Sequence, residues 1–233
     1  MRNRVIGFLF LVIITGCSEN KQANTSSIKK EIDEVFNLNN YQAKRQKKIN
    51  DSVIQYEGVN NRFLIKGKYN YQRRYKIGWW RVYDLKNNEK YLDIEFYKEF
   101  DKKKELNNQI IFYKNNKINI SNSKFYVKKY NIEGSTILYN FYFPKSTDKI
   151  HSAKINIGII ADMKPLLYPM TFECSNKKNN SYSYSLDISK YKNHPVLNVL
   201  GSFSEHSINE KKKEIGINEI IIDDTIKNVN TIR

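Results

Sequence analysis

Apolar residues change their spacing three times along this chain of 233 residues. From Val5 to Ile14 they run unbroken except at Gly7, with Arg2 and Arg4 ahead of them. A bilayer-spanning helix needs about 20 such residues, so this run is too short to span. A basic start followed by a short apolar stretch is the layout of an export signal, predicted over residues 1–16. Residues 17–26 are polar and predict a flexible tether. Between 27 and 60 the apolar positions recur at three and four. Ile28, Ile32, Val35 and Phe36 predict a helical stripe capped by Ser27, with Glu31 and Asp33 in its first turns. Ile49, Val53, Ile54 and Tyr56 predict a second stripe beyond an interruption at 37–40. Residues 27–60 are therefore expected to be a helical or partly disordered stalk.

From Asn61 onward the period falls to two. In YLDIEFYKEF (91–100), Leu92, Ile94 and Phe96 share one face while Tyr91, Asp93, Glu95 and Tyr97 share the other. WWRVYD, QIIFYK, SKFYVKKYNI and TILYNFYF follow the same rule, separated by Asn87-Asn88, Asn107-Asn108 and Asn115-Asn116. Asn tolerates positive φ and makes plausible turns. Pro144 to Asp148 interrupts the pattern, and DMKPLLYP, with two prolines, predicts a loop. SAKINIGIIA, MTFECS, SYSYSLDI, PVLNVLGSFSEH and EIGINEIIIDD predict further strands, and NEKKKE (209–214) a charged hairpin tip. Long helical connections are absent from this pattern, which argues against a parallel βαβ sheet. The expectation is a mostly β protein with antiparallel sheets, as meander or sandwich, behind the stalk. Its units would be 61–144 and 145–233.

Composition adds a basic charge. The formal net charge is +16, and removal of Arg2 and Arg4 with the signal lowers it to +14. Such a balance invites a polyanionic partner, and export argues against nucleic acid. The abundance of Lys, Asn, Ile and Tyr also matches what an AT-rich genome encodes, so the charge alone defines no site. Two cysteines are present. Cys174 alternates with Met170 and Phe172 and is expected to be a buried structural thiol.

The other cysteine closes the apolar run. Ile14-Thr15-Gly16-Cys17 resembles the lipobox of bacterial lipoproteins. That resemblance implies cleavage before Cys17, acylation of Cys17 by several chains such as palmitate, and a mature chain anchored to a membrane without crossing it. Ser18, in place of an Asp, resembles the pattern of outer-membrane sorting; whether the domain faces the periplasm or the cell surface is left open. Gly78, Trp79 or Trp80, Tyr83, Glu95 and Tyr97, within residues 75–118, resemble the MORN-variant repeat of envelope lipoproteins. One copy is well matched, a second at 107–118 lacks the glycine, and the resemblance implies a scaffold or binding surface with no catalytic residue.

The densest basic-aromatic stretch is GKYNYQRRYKIGWWRVY. As one strand it would set Tyr69, Tyr71, Arg73, Tyr75, Ile77, Trp79, Arg81 and Tyr83 on a single face. Tyr75, Trp79, Trp80, Arg81 and Tyr83 are the candidate binding surface, since aromatics with Arg stack on sugars and hold anions. Ordinary sheet composition accounts for the same residues. His151, His194 and His206 stand at no metal-ligand spacing, and no Gly-x-Ser-x-Gly elbow or phosphate loop is present. The sequence therefore predicts a non-catalytic binding or structural module of the cell envelope, without cofactor or metal. Its expected partner, beyond the membrane, is an envelope protein or an anionic polymer. An envelope polysaccharide or cell-wall enzyme, and an immunity lipoprotein against a secreted toxin, are the alternatives. The enzyme requires Asp93, Glu95 or Glu205 to meet His206 in one cleft.

Overall fold

The structure is a computed structural model and describes residues 25–98, 105–131, 135–146, 148–161, 164–173, 181–191, 194–210 and 213–227. The signal, Cys17 and Cys174 lie outside these residues. The chain divides into two compact units, 1–38 and 39–233.

The first unit carries helix α1, Thr25–Val35. It begins two residues before Ser27, the expected cap. Ile32, Val35 and Phe36 are buried, at the spacing of one helix face. No helix among the described residues is long and apolar enough to cross a membrane.

In the second unit, β1 (Gln42–Lys48), β2 (Val53–Val59), β3 (Phe63–Asn70), β4 (Tyr75–Asp84), β5 (Glu89–Lys98), β6 (Glu105–Lys114) and β7 (Lys117–Ile118) form one antiparallel sheet in sequence order. Residues 42–59, expected as stalk with a second helical stripe, are thus two strands. A turn decides the matter. Asn50 Oδ1 accepts the backbone N–H groups of Ser52 and Val53 at 3.0 and 2.9 Å, closing the chain between β1 and β2. Beyond it, β-branched Val53, Ile54 and Val59 pair with β3. β1, QAKRQKK, is exposed at every position; pairing with β2 makes it a strand, and no apolar alternation advertises it.

The remaining strands make two more sheets. β8 (Phe125–Asn131), β9 (Thr136–Tyr142) and β12 (Ser181–Asp187) are ordered β12-β9-β8. β10 (Lys149–Ala161), β11 (Lys164–Glu173), β13 (Val196–Asn209) and β14 (Glu214–Lys227) are ordered β11-β10-β13-β14. One core joins them: Ile137, Tyr139 and Phe141 of β9 and Tyr182 of β12 meet Ile155, Ile157, Phe203 and Ile220 of the other sheet. Phe141 and Phe203 stack at 4.4 Å. The expected boundary at 144/145 therefore does not separate two units, because β12 returns to pair with β9 across it. The expected proline loop is likewise strand β11, which holds Pro165 and Pro169. It lies at the sheet edge, where a missing N–H is tolerated.

The meander and the sandwich meet at β6. Ile110 bridges Lys124 beside β8. The Asn108 side chain accepts from Ile221 N at 2.6 Å and donates to Ile221 O at 3.0 Å on β14. Asn107 and Asn108, expected as a turn, are inside β6. Asn88, Asn115 and Asn116 do occupy turns, with φ of 57°, 53° and 56°.

Candidate functional site

Directly paired residues of a sheet point to the same side. On one side of the meander Tyr56, Ile65, Trp80, Val82, Leu92, Ile94 and Phe96 are buried. The opposite side is polar. There Arg45 pairs with Glu57, Glu57 with Lys66, Lys66 with Arg81, and Arg81 with Asp93. A second row runs Lys47, Gln55, Lys68, Ile77, and Trp79 pairs with Glu95.

Of the candidate surface, Tyr75, Trp79, Arg81 and Tyr83 lie on this polar side, through their partners Asn70, Glu95, Lys66 and Leu64. Trp79 is 39% exposed and Arg81 is exposed. Trp80 faces the other way, with no exposed surface. Its indole N–H donates to Lys68 O at 3.1 Å, and its ring stands edge-on to Phe96 at 6.4 Å. Trp80 is a core residue, which corrects its place in the candidate set. The expected single face from Tyr69 to Tyr83 is broken as well: Tyr69 pairs with Lys76 rather than lying in the Lys66–Lys68 row, and residues 71–74 are the turn between β3 and β4. At Gly78, φ is +59°, a conformation natural to glycine. Here β4 bulges: residues 78–80 stand opposite the single residue Gly67.

Across β1–β4 the polar side carries Arg45, Lys47, Lys66, Lys68 and Arg81 against the carboxylate of Glu57, which Lys66 approaches at 3.2 Å. Arg45 and Lys47 form no ion pair with any described residue. This half of the face is an open cationic field with one exposed indole. On β5 and β6 it becomes internally paired. Asp93 receives Lys90 Nζ at 2.7 Å and the Tyr113 hydroxyl at 3.0 Å. Burial raises the Tyr113 pKa, helped by Asp93. Glu95 accepts the side-chain amides of Asn108 and Gln109 at 2.8 and 2.9 Å.

Asp93 and Glu95 share a face, as expected, while a bulge at Tyr91 turns that ring to Phe63, 4.9 Å away. Glu205 is fully buried on β13, where Tyr182 Oη donates to it at 2.7 Å. His206 is its strand neighbour and pairs with Ser152 and Ile217. Adjacent on one strand, Glu205 and His206 point to opposite sides of their sheet. No group of three metal-ligating side chains occurs among the described residues.

Two engaged groups, Lys124 and Asp224, had no sequence signal. Lys124 Nζ donates to Asn107 O and Glu219 O, both at 2.9 Å. Burial lowers its pKa to about 8. Asp224, buried on β14, pairs with Lys128 and accepts the Tyr126 hydroxyl at 3.1 Å. Burial, reinforced by Asp224, raises the pKa of Tyr126 and Tyr139. Each joins strands far apart in the chain, so local pattern cannot reveal it. Compared with family models, curated proteins and solved structures, the chain matches none.

Proposed function

We propose that this chain is a non-catalytic binding module of the bacterial cell envelope. Lipid on Cys17 holds it at an outer membrane, and the polar side of β1–β4 meets its partner. One observation carries the reading: Trp79 and Arg81 stand two residues apart on one side of β4, both solvent-exposed, within a field of cations. Tryptophan and arginine are the side chains that most often anchor interfaces, and an exposed indole in a polar sheet face has no role in the core. The carboxylates described above are engaged with amides, hydroxyls and lysines, which favours binding over acid–base chemistry.

The test uses the full chain expressed in a Gram-negative host. Wild type is expected in the outer-membrane fraction and Cys17→Ala in the soluble fraction. Equal membrane attachment of the two would remove the lipid anchor from the reading. Purified wild type should bind isolated outer envelope material, and Trp79→Ala and Arg81→Glu should lose that binding while retaining the wild-type circular dichroism. Undiminished binding by both variants would remove the face.

A further inference from the structure

The cations on the polar side of β1–β4 fill two dimensions. Arg45, Glu57, Lys66 and Arg81 form one row across the strands, and Lys47, Gln55 and Lys68 form the next. Neighbouring strands lie about 4.8 Å apart and alternate residues of one strand about 7 Å apart, so the first row spans about 14 Å and the second lies about 7 Å from it. The carboxylate among them, Glu57, is taken by Lys66 at 3.2 Å. Among the described residues Arg45, Lys47, Lys68 and Arg81 have no ion pair or side-chain hydrogen bond, and all four are exposed. Lysines on an edge strand guard against aggregation, which accounts for β1. It does not account for Lys68 on β3 or Arg81 on β4, because both strands lie inside the sheet.

Apolar surface flanks the Arg45–Arg81 row on both sides. Trp79 is 39% exposed and has no ring contact among the described residues. Val59, Leu64 and Tyr83 pair in a row on the other side and are half-buried. Small-molecule sites bury most of their ligand, which an open sheet face does not do. A single polyanionic strand would follow one row of cations and leave the other. Cations spread in two dimensions around an indole match a plane of phosphates over an apolar layer. Lys and Arg are drawn to an anionic membrane surface, and Trp and Tyr settle at headgroup level, where one end is apolar and the other wet. The chain brings such a plane near. Gln42, the start of β1, lies 25 residues after Cys17, and 11 of these form α1. At about 1.5 Å per helical residue and at most about 3.4 Å elsewhere, that length reaches no further than about 65 Å. A surface so close to its tether acts at an effective concentration on the order of millimolar, so contacts too weak to hold a free protein suffice.

Resting on the envelope-binding reading, we propose that the polar side of β1–β4 docks on the anionic phospholipid surface to which the Cys17 lipid tethers the chain. Arg45, Lys47, Lys68 and Arg81 meet headgroup phosphates, and Trp79 enters the layer at headgroup level. The lipid holds the chain at the membrane, and the face turns β1–β4 down onto it.

The experiment places the acylated full-length protein in phosphatidylcholine vesicles with and without phosphatidylglycerol and measures quenching of tryptophan emission by acrylamide. The chain has two tryptophans, and Trp80 has no exposed surface, so the quenchable emission is that of Trp79. The expected result is that phosphatidylglycerol shields Trp79 and shifts its emission to the blue, and that high salt reverses both. Arg45→Gln, Lys47→Gln and Lys68→Gln should each lower the ratio of shielded to quenchable protein about fivefold. Equal quenching with and without phosphatidylglycerol would overturn the proposal, as would shielding that neither salt nor the three substitutions reduce. Equal shielding by soluble polygalacturonate in the vesicles that lack phosphatidylglycerol would give the face to a polymer and overturn it too. If phosphatidylglycerol has no effect while envelope material still binds through Trp79 and Arg81, this docking falls and the envelope-binding reading stands with another partner. Wild type that washes off both kinds of vesicle would remove the lipid anchor, and the reading and the docking fall together.

Discussion

The indole of Trp80 packs on the backbone of Gly67, so closely that a Cβ at residue 67 would lie 2.1 Å from indole Cδ2. This contact sets which of two adjacent tryptophans is inside. Because Gly67 leaves room on the buried side, Trp80 fills it, and Trp79 is turned to solvent. Gly67→Ala should destabilise the protein by about 1–3 kcal/mol through overpacking, and Trp80→Ala by about 3–5 kcal/mol. Trp79→Ala should stay within about 0.5 kcal/mol. Urea denaturation checks all three. Equal losses for the two tryptophans would show that Trp79 is structural as well.

Glu205 is a carboxylate with no exposed surface, held by the Tyr182 hydroxyl at 2.7 Å and by Asn218 Nδ2 at 3.4 Å. Tyr182→Phe removes a donor from a buried acceptor and should cost about 2 kcal/mol. Glu205→Leu removes the acceptor too, so adding Tyr182→Phe to that background should cost little. A double-mutant cycle is expected to give a coupling of at least about 1 kcal/mol. A coupling near zero would mean that the pair does not depend on this bond.

Lys124 makes stability depend on alkaline pH. Its folded pKa is about 8, against 10.5 for an ordinary lysine. Between those values the unfolded chain binds more protons than the folded one, so stability rises as pH rises. Below about pH 8 both states are protonated and the burial penalty is at its full size. Above about pH 10 the sign reverses: buried Tyr41, Tyr126 and Tyr139 hold their protons while the unfolded chain loses them. Urea midpoints should therefore climb from pH 8 to about 10 and then fall. Lys124→Met should lack the climb. Parallel curves for wild type and variant would exclude Lys124 as its source.

Asn115 and Asn116 both adopt left-handed backbone in the tight turn between β6 and β7. Asn116 Oδ1 also accepts the Lys90 backbone N–H at 3.1 Å, fixing the turn to β5. Asn116→Val should cost at least about 1 kcal/mol from backbone strain. Asn116→Gly should cost less, since it loses only the hydrogen bond. Thermal unfolding of the two variants checks the order.

Period-two spacing carried the fold class, because strands with one buried face leave that signature in every heptad-length window. It failed where burial is not what makes the strand. β1 has no apolar alternation to show, and β11 holds two prolines that only its edge position excuses. Around the candidate site, Tyr75, Trp79, Arg81 and Tyr83 could be grouped from spacing alone. Which tryptophan faced inward could not, since it depends on Gly67, a residue on another strand. Lys124 and the Asp93–Lys90–Tyr113 set depend on pairings between strands. Single-residue identity carried no trace of these.

The three sheets also differ in how far apart their neighbours lie along the chain. Each strand of the meander pairs with the one made just before it, so short loops close and little chain entropy is lost at each step. β9 must wait for β12 and β10 for β13, after long intervening segments. Such distant pairings form slowly. In a chain made from its N-terminus, the meander can zip up as it appears, whereas the sandwich stays open until its final hairpin arrives. A truncation that removes β13 and β14 would then leave a partly built molecule with Phe141 and its neighbours uncovered, vulnerable to proteolysis and aggregation in the interval.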